Sequence, residues 1–328
     1  MKSAKLYRYR LPMDSGVILR DNKLVERVGY IVELHRDGDV GRGEIAPLPG
    51  FSLEDLDQAG AQAQEMAQLW VRGDDLDLES MFPSVAFGLS MAMLELEQGL
   101  PLDGNHRSAP LCYGDADDLI PVLSTLSGEC VAKLKVGLYE PIRDGMLVNV
   151  LLEAVPNLML RLDANRAWTL EKAQKFASYI APSRRQRIAF IEEPCKHPGD
   201  SLSFAINTGI AIAWDETLQE GVRDEEFSLE DLTGVKTIVI KPTLIGSILR
   251  CITLIKRSRD LGIQPIISSS LESSLGLNQL ARLSRWLLPN VTPGLDTMQL
   301  FKAQLEVPWP NSDLPLERLE QQELVWQS

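Results

Sequence analysis

The sequence is poor in cysteine, and this scarcity excludes a fold held together by many disulfides. Only four cysteines occur in 328 residues. They lie far apart, without CxxC spacing, and are Cys112, Cys130, Cys195 and Cys251. We predict four reduced core thiols, as is typical of a cytoplasmic protein.

Positive charge is also scarce, and long apolar runs are missing. The 33 lysines and arginines face 46 aspartates and glutamates, which gives a net charge of −13. This balance disfavours nucleic acids and anionic membrane surfaces as partners. Residues 1–5 contain no apolar targeting segment, and no apolar run approaches membrane-spanning length. We therefore expect a cytoplasmic location and no membrane partner.

Histidine is rarer still, with three in the chain. His35, His106 and His197 are not spaced as metal ligands, and we expect all three at the surface. A metal site built on histidine or cysteine is therefore disfavoured.

The hydrophobic content of 45% is enough for a large core, and the first hundred residues predict an α+β domain. Strand-like alternation covers residues 4–10, 29–35 and 41–45, and helix-like spacing begins near Ser52 and Ser84. A polar, turn-rich stretch at residues 101–108 follows. We assign this domain to residues 1–105.

From residue 109 onwards, strand-like and helix-like segments alternate. The eight strand candidates are residues 111–113, 131–136, 158–163, 188–192, 210–215, 237–241, 265–268 and 291–294. Such alternation predicts parallel strands joined by crossovers, and about eight of them predict a closed α/β barrel of the TIM type. We assign the barrel to residues 106–299. The proline-rich tail, 300–328, is expected to return to the first domain.

Three consecutive strand candidates end on a carboxylate: Asp163, Glu192 and Asp215. The carboxyl ends of parallel barrel strands meet at one rim, where such barrels place their chemistry. A single acid at a strand end is more often a helix cap, but three in succession favour a functional site. Because oxygen-only ligands suit a hard divalent ion, we predict a Mg²⁺ site, with Mn²⁺ as a substitute.

Three lysines are expected at the same rim. Lys133 and Lys135 lie two apart on one strand and therefore point to the same face, whereas Lys241 ends the sixth strand candidate. A neighbouring ammonium, partial burial and a metal ion all favour the neutral amine. We therefore expect a lowered lysine pKa and a base that works near neutral pH. A purely structural explanation, in which the two lysines lie on a solvated edge strand, is disfavoured by the apolar neighbours Val131 and Leu134.

Together these motifs resemble the enolase superfamily, in its muconate-lactonizing subgroup. The resemblance covers nearly the whole chain and is carried by Lys133-x-Lys135, Asp163-Ala164-Asn165, Glu192-Glu193-Pro194, Asp215-Glu216 and Lys241-Pro242. It implies a modified (β/α)₇β barrel with an N-terminal capping domain that the C-terminal tail completes.

The resemblance also implies a reaction, because the closer match is to the branch of this subgroup that forms 2-succinylbenzoate for menaquinone biosynthesis. That reaction removes water from a small carboxylate, 2-succinyl-6-hydroxy-2,4-cyclohexadiene-1-carboxylate. Residue types and resemblance agree on Lys135 as the base, on Lys241 and a metal ion as stabilisers of the enediolate, and on Asp163, Glu192 and Asp215 as metal ligands.

Substrate contacts are expected from loops over the rim. Ser268, Ser269 and Ser270 supply hydroxyl and backbone donors suited to a carboxylate, and Gly294 lets backbone approach closely. The cap loops at residues 16–20 and 49–51, including Phe51, are expected to close over the substrate ring. Arg161 points the same way as Asp163 and pairs with an acid or contacts the substrate.

Several alternatives stay open. The same scaffold suits racemisation of an N-acylamino acid or epimerisation of a dipeptide, with Lys135 and Lys241 as bases on opposite faces. In another class, the chain is a catalytically silent barrel that binds a metal or a partner protein. Glu193 and Glu216 either support the metal ligands or form salt bridges, and the acidic segment 220–230 receives no role. We expect a monomer, although the sequence leaves an oligomer open.

Overall fold

A computed structural model describes residues 1–14, 18–19, 22–126, 130–224, 226–232 and 234–328. These residues form two compact units, which we describe separately. The first unit comprises Met1–Ser108, Ile240–Lys256 and Ile267–Ser328, and the second comprises Ala109–Val239 and Arg257–Ile266. The division into residues 1–105, 106–299 and 300–328 stays a prediction.

The first unit begins with a long antiparallel sheet covered by two helices. Its N-terminal elements are β1 (Lys2–Pro12), β2 (Ile18–Leu19), β3 (Asn22–Lys23), β4 (Glu26–Arg36), β5 (Asp39–Ile45), α1 (Leu56–Arg72) and α2 (Pro83–Leu96). Alternate residues of β1, such as Leu6, are buried, and Leu6 lies opposite Val32 of β4. α2 packs closely on β5 because Gly43 and Gly88 carry no side chains: a Cβ on Gly43 would collide with the Gly88 carbonyl oxygen.

The first helix begins later than the predicted start at Ser52. Asp55 is the N-cap: its side chain accepts a hydrogen bond from the backbone N–H of Gln58, and the Gln58 side chain accepts one from Asp55 in return. The helix ends at Gly73, which has φ 91°, a left-handed conformation that glycine adopts without strain. Local capping, rather than hydrophobic spacing, therefore sets both ends of α1.

After residue 108 strands and helices alternate. They are β6 (Leu111–Cys112), α3 (Ala116–Leu123), β7 (Cys130–Lys135), α4 (Pro141–Ala154), β8 (Leu158–Asp163), α5 (Leu170–Ser178), α6 (Pro182–Arg185), β9 (Ile188–Glu192), α7 (Pro198–Thr208), β10 (Ile212–Trp214), α8 (Glu216–Gly221), β11 (Thr237–Ile240), α9 (Pro242–Ile245), α10 (Ile248–Asp260), β12 (Gln264–Ile267), α11 (Ser274–Leu287), β13 (Gln304–Leu305), β14 (Leu316–Glu317) and β15 (Glu323–Gln327). Helix-like spacing predicts helices at residues 141–154, 169–180, 200–207, 247–261 and 273–288, so α3, α6, α8 and α9 were not predicted.

Seven of the strands form one curled sheet in the order β6-β7-β8-β9-β10-β11-β12, and the pairs from β6 to β11 are parallel. This sheet and the N-terminal sheet confirm the predicted fold class. The eighth predicted strand, residues 291–294, was wrong in extent, because only Gly294 forms a β-bridge there, to Ser268. Pro293 lacks an N–H group, which interrupts regular pairing at this point.

The C-terminal strand returns to the sheet of the first unit. β15 pairs antiparallel with β1, which gives a four-stranded sheet in the order β15-β1-β4-β5. Within the described ranges, no helix has both the length and the apolar character required to cross a membrane.

Candidate active site

The predicted acids and two of the predicted lysines lie at neighbouring strand ends of the second unit. Lys135 of β7 is in register with Asp163 of β8, and Asp163 is in register with Glu192 of β9. Because these strands are parallel, their last residues reach the same edge of the sheet. Asp215 directly follows β10, the next strand along that edge.

Short ion pairs join these side chains. The Lys133 Nζ lies 2.7 Å from Glu192 Oε2 and 2.9 Å from Asp163 Oδ2. The Lys135 Nζ donates to Asp163 Oδ2 at 2.7 Å and to Asn165 Oδ1 at 2.6 Å. We call Lys133, Lys135, Asp163, Glu192 and Asp215 the acid–lysine cluster. Its acids are almost fully buried, which strengthens every charge–charge interaction among them.

For Lys133, the expectation of a lowered pKa was wrong. Burial acts to lower it, but the charges of Asp163, Glu192 and Asp215 together raise the pKa of Lys133 far above its ordinary value. The sequence argument considered the neighbouring ammonium and missed that three acids surround Lys133. This lysine is therefore a permanent cation beside the acids.

The two acids that share Lys133 have opposite pKa shifts. Burial acts to raise the pKa of Asp163, but Lys133 and Lys135 lower it below the ordinary aspartate range. Burial raises the pKa of Glu192, and Asp163 and Asp215 add to this rise while Lys133 opposes it. The cluster contains three acids and two lysines, so the lysines do not neutralise all of the negative charge near Glu192. This excess of negative charge favours the binding of a further cation.

Asp215 is held in place by the short helix that it precedes. The Gln219 side chain donates to Asp215 Oδ1 at 2.6 Å, and the backbone N–H of Gln219 donates to the Asp215 carbonyl. Among the residues with described positions, no three acid, histidine or cysteine side chains are arranged around a common point for a metal ion. Between Asp163 and Glu192 lies the Lys133 ammonium.

Arg161 is buried on β8, two residues before Asp163. Its guanidinium lies 5.7 Å from the centre of the Phe190 ring. Burial lowers the pKa of Arg161 to about 10, although Glu192 opposes this shift. An arginine in this position remains charged at neutral pH and adds positive potential to the same strand end.

The remaining predicted site residues belong to the first unit. Lys241 is half-buried and directly precedes Pro242, the first residue of α9. Ser268 Oγ donates to the Gly294 carbonyl at 3.0 Å, and a Cβ on Gly294 would lie 2.7 Å from Ser268 Oγ, so this close approach requires glycine. Ser269 Oγ lies 3.0 Å from the Thr297 hydroxyl.

Ser270 and the cap loops complete this set. Ser270 is buried, and its hydroxyl has no hydrogen-bond partner among the described atoms. Phe51 is half-buried in a turn in which its N–H donates to the Leu48 carbonyl. A cavity of about 560 Å³ lies between residues 23–28 and 47–58 of the same unit. The predicted cap loop at residues 16–20 lies mostly outside the described residues.

The burial of the cysteines agrees with prediction, whereas that of the histidines differs in part. All four cysteines are buried, and none forms a disulfide within the described residues, as predicted. His197 is exposed, but His35 and His106 are half-buried. His35 lies 2.8 Å from Glu33, and His106 packs against the Trp309 ring at 5.0 Å between ring centres. The surface prediction was wrong for these two: His35 pairs with Glu33 on its own strand, and His106 packs against a residue more than 200 positions away.

Two polar contacts at the cluster were not assigned from the sequence. Asn165 was quoted only as part of a motif, yet it accepts a hydrogen bond from Lys135. Gln219 received no role, although it stands four residues after Asp215, the spacing at which two side chains of one helix turn meet. That spacing is a signal that the sequence contains.

Comparison with known proteins identifies the family. Residues 1–96 match the family model described as MenC, N-terminal domain, and residues 127–307 match the one described as Enolase C-terminal domain-like. Proteins named o-succinylbenzoate synthase from Vibrio cholerae and Aliivibrio fischeri are 66% and 56% identical to the chain over 100% of its length, and the match covers 99% and 100% of theirs. The chain belongs to the o-succinylbenzoate synthase family. It is therefore an enzyme, a hydro-lyase of the enolase superfamily.

Solved structures share the fold of this family. The o-succinylbenzoate synthase of Thermosynechococcus elongatus, solved with Mg in its active site, has a TM-score of 0.73 at 24% identity and covers 89% of this chain and 92% of its own. A dipeptide epimerase from Cytophaga hutchinsonii, solved with Mg and a dipeptide, has a TM-score of 0.71 at 20% identity over 92% and 88%. At such identities both show a common architecture alone.

Proposed function

We propose that the chain converts 2-succinyl-6-hydroxy-2,4-cyclohexadiene-1-carboxylate into 2-succinylbenzoate and water, a step of menaquinone biosynthesis. The observation that carries this proposal is the acid–lysine cluster: two lysines and two acids in mutual contact at consecutive strand ends, in a chain 66% identical to a named o-succinylbenzoate synthase. A substrate with a carboxylate next to an acidic C–H bond suits a site that combines cations with a lysine base.

The metal ion of this reaction is Mg²⁺, held by Asp163, Glu192 and Asp215, and Mn²⁺ is expected to substitute for it. The donor set fits, because all three are buried oxygen ligands and two of them already share one cation, the Lys133 ammonium. When bound, Mg²⁺ supplies Lewis-acid stabilisation of the negative charge that develops on the substrate carboxylate.

Lys135 performs the proton transfers. Its neutral amine removes the proton from the carbon next to the substrate carboxylate, and the electron pair of that C–H bond moves into an enediolate. The electrons then return to form the aromatic ring while the C–O bond to the hydroxyl group breaks. The protonated Lys135 donates its proton to the departing hydroxide, so one water leaves and the amine is restored. Asn165 and Asp163 orient Lys135 by accepting its hydrogen bonds at 2.6 and 2.7 Å.

Lys133 and Lys241 act as cations during this sequence. Lys133 remains protonated beside Asp163 and Glu192 and keeps the two carboxylates together. Lys241 is proposed to stabilise the enediolate, on the strength of its place at a strand end and of the family resemblance. Electrostatic stabilisation of this kind is worth several kcal/mol of barrier, or roughly three decades in rate.

The substrate contacts are proposed for the serine segment, for Gly294, for Arg161 and for Phe51. Ser268, Ser269 and Ser270 follow β12 and offer hydroxyl and backbone groups, one of which, the Ser270 hydroxyl, is buried without a partner in the described residues. An unpaired buried hydroxyl is costly and favours a polar ligand. We expect the enzyme to act as a monomer in the cytoplasm, where its four buried cysteines would stay reduced.

The reaction is tested by mixing the purified chain with Mg²⁺ and the cyclohexadiene carboxylate and following the loss of diene absorbance. Lys135→Ala and an EDTA-treated sample serve as controls. We expect rapid metal-dependent loss in the wild type and a rate in Lys135→Ala about 10²–10⁴-fold lower, because one general base is removed.

A second substrate separates the scaffold from the reaction. If the wild type leaves the diene intact but exchanges the α-proton of N-acylamino acids, the synthase proposal is wrong and the racemase alternative replaces it. If neither compound reacts, the synthase proposal and the racemase alternative are both wrong.

A further inference from the structure

Each strand end that supplies an acid to the acid–lysine cluster also supplies a second residue to a separate network. Arg166 comes three residues after Asp163, Glu193 comes one after Glu192, and Thr217 comes two after Asp215. These second residues bond to one another and to Glu220 of α8. We call Arg166, Glu193, Thr217 and Glu220 the strand-end clamp.

Glu193 is the centre of the clamp, and its side chain is fully buried at 0% exposure. Glu193 Oε1 accepts hydrogen bonds from the backbone N–H groups of Asp215 at 3.1 Å and Thr217 at 2.8 Å. Glu193 Oε2 accepts from the Thr217 hydroxyl at 3.0 Å and from Arg166 Nε at 3.1 Å. With four donors on two oxygens, this carboxylate is occupied and is not a metal ligand.

Arg166 connects Glu193 to the helix that follows Asp215. Its guanidinium donates to Glu220 with Nη1 at 2.6 Å and Nη2 at 3.1 Å, and to the Thr217 hydroxyl at 2.9 Å. The backbone N–H of Arg166 donates to the Glu193 carbonyl at 2.7 Å. Only a planar guanidinium reaches three such partners in one geometry, so lysine is a poor replacement. The contact also corrects the expectation that segment 220–230 has no role.

The backbone at the clamp is strained. Arg166 has φ 58° and Glu193 has φ 40°, left-handed conformations that are unfavourable in residues other than glycine. Such strain persists only where the surroundings hold it. The two adjacent glutamates have different partners: Glu192 bonds to Lys133, and Glu193, with its unusual backbone, bonds to the other residues of the clamp.

We propose that the strand-end clamp positions Asp163, Glu192 and Asp215 for a divalent cation and thereby sets the affinity of the chain for Mg²⁺. This inference rests on the metal site of the proposed function. Glu193 directly follows Glu192 and accepts a hydrogen bond from the backbone N–H of Asp215. Arg166, in the loop after Asp163, donates its backbone N–H to the Glu193 carbonyl and so connects the third strand end. Groups that orient metal ligands in this way typically change metal affinity by about 10–100-fold when they are replaced.

The test measures the dissociation constant of Mg²⁺ by calorimetry on the full chain without substrate, for Arg166→Lys and Glu193→Gln. We expect the dissociation constant to rise about tenfold or more in both variants, because the backbone of the metal-ligand loops is no longer fixed. Melting temperatures in EDTA are recorded beside it, since a merely structural role would lower the melting temperature and leave Mg²⁺ binding unchanged.

Arg184→Lys is the matched control. Arg184 pairs with Glu153 at 3.0 Å, and its side chain is 25% exposed against 20% for Arg166, but it contacts no residue of the clamp or of the acid–lysine cluster in the described contacts. We expect its Mg²⁺ dissociation constant to stay within about twofold of the wild type, as for a surface ion pair.

If Arg166→Lys and Glu193→Gln fail to fold, Thr217→Val is tested instead. It keeps the shape of the side chain and removes only the hydroxyl between Arg166 and Glu193. A raised dissociation constant in Thr217→Val supports the clamp, and an unchanged one overturns it. Wild-type affinity in folded Arg166→Lys and Glu193→Gln, an equal loss in Arg184→Lys, or a wild type that does not bind Mg²⁺ also overturns it. If the wild type binds Mg²⁺ but leaves the diene intact, the proposed reaction is wrong and the clamp still stands.

Discussion

Two groups of charged side chains, one in each compact unit, are bonded in different ways. In the acid–lysine cluster of the second unit, charged side chains bond mainly to other charged side chains: Lys133 alone contacts two carboxylates. In the first unit, Arg27 and Glu44 are almost fully buried, and they bond mainly to backbone groups and hydroxyls. We call this second group, completed by Tyr9, Glu272 and Ser273, the arginine–glutamate cluster.

Besides the carbonyl of its neighbour Val28, Arg27 bonds to backbone carbonyls from two distant segments. Its guanidinium donates to Ala46 at 2.6 Å, Pro47 at 2.7 Å, Leu271 at 2.9 Å and Ser270 at 3.3 Å. Residues 46–47 lead into the predicted cap loop, and residues 270–271 end the predicted substrate-binding serines. One buried cation therefore fixes two segments that are far apart in the sequence.

Glu44 is satisfied in a similar way. Its carboxylate accepts hydrogen bonds from the Tyr9 hydroxyl at 2.5 Å, from the Ser273 N–H and hydroxyl at 2.9 and 2.6 Å, and from the Gly276 N–H at 3.0 Å. Three of these donors belong to the first turn of α11 or its cap, where a negative charge also stabilises the helix dipole.

The difference between the two clusters indicates their roles. Backbone carbonyls and N–H groups cannot leave or change their charge, so the contacts of Arg27 and Glu44 are fixed and serve stability. The partners in the acid–lysine cluster are titratable side chains that can exchange one cation for another. A site that binds a metal ion and moves a proton requires the second kind of partner.

The largest expected effect on stability separates the two clusters most directly. Arg27→Met leaves four buried carbonyls without a donor, and at roughly 1 kcal/mol or more for each unsatisfied group we expect the free energy of unfolding to fall by about 4 kcal/mol. Urea unfolding measures this change. Added Mg²⁺ should not rescue the variant beyond its effect on the wild type.

Arg187→Met is the control for this prediction. Arg187 also donates to three carbonyls, those of Leu152, Val155 and Pro156, but it is half-buried and water can replace it. We expect a loss of only about 1 kcal/mol. Equal losses in both arginine variants would mean that burial of the carbonyls is not what makes Arg27 important.

A smaller effect is expected at Lys133, and this one depends on metal. Lys133→Met removes the cation shared by Asp163 and Glu192, so in EDTA we expect the free energy of unfolding to fall by roughly 3 kcal/mol. Mg²⁺ at about 100 times its dissociation constant should return about 2.7 kcal/mol by binding the folded state. Denaturant unfolding with and without Mg²⁺ measures both values. A variant that Mg²⁺ does not stabilise would show that the acids of this cluster do not bind the ion.

The smallest expected effect is a pH dependence in the arginine–glutamate cluster. Burial, together with the charge of Glu44, raises the pKa of Glu272 from 4.5 to about 6. Because the folded state then binds the proton more tightly than the unfolded state, ionisation of Glu272 destabilises the fold. The contribution of this group to stability should fall by about 2 kcal/mol as the pH rises from 4.5 through 6.

Glu272→Gln isolates this contribution, since the variant has no proton to lose at that position. We expect the difference in unfolding free energy between wild type and variant to change by about 2 kcal/mol between pH 4.5 and 7 and to stay flat above that. A pH-independent difference would mean that Glu272 titrates as in the unfolded chain.

Much of the candidate site was predictable from local patterns. Asp163 and Glu192 are the last residues of their strands, Asp215 directly follows its strand, and parallel strands must bring their ends to one edge. Lys133 and Lys135 share a face because they lie two apart on one strand. The contacts between these lysines and the acids of β8 and β9 follow from that arrangement.

Features that depend on distant partners were not predictable in this way. The sign of the Lys133 pKa shift depends on three acids that lie 30 or more residues away in the chain. The role of Arg166 depends on the left-handed backbone at Glu193 and on Glu220 of α8, the helix that follows β10. The same holds for Arg27, whose partners at Ser270 and Leu271 follow it by more than 240 residues.

The sequence by itself determined the strand–helix alternation after residue 108, the family, and which residue types reach the strand ends, because these depend on spacing along the chain. Only the tertiary structure decided which charge meets which partner. That choice depends on through-space distance and burial, which set the strength of every electrostatic interaction and are fixed only when the strands have assembled.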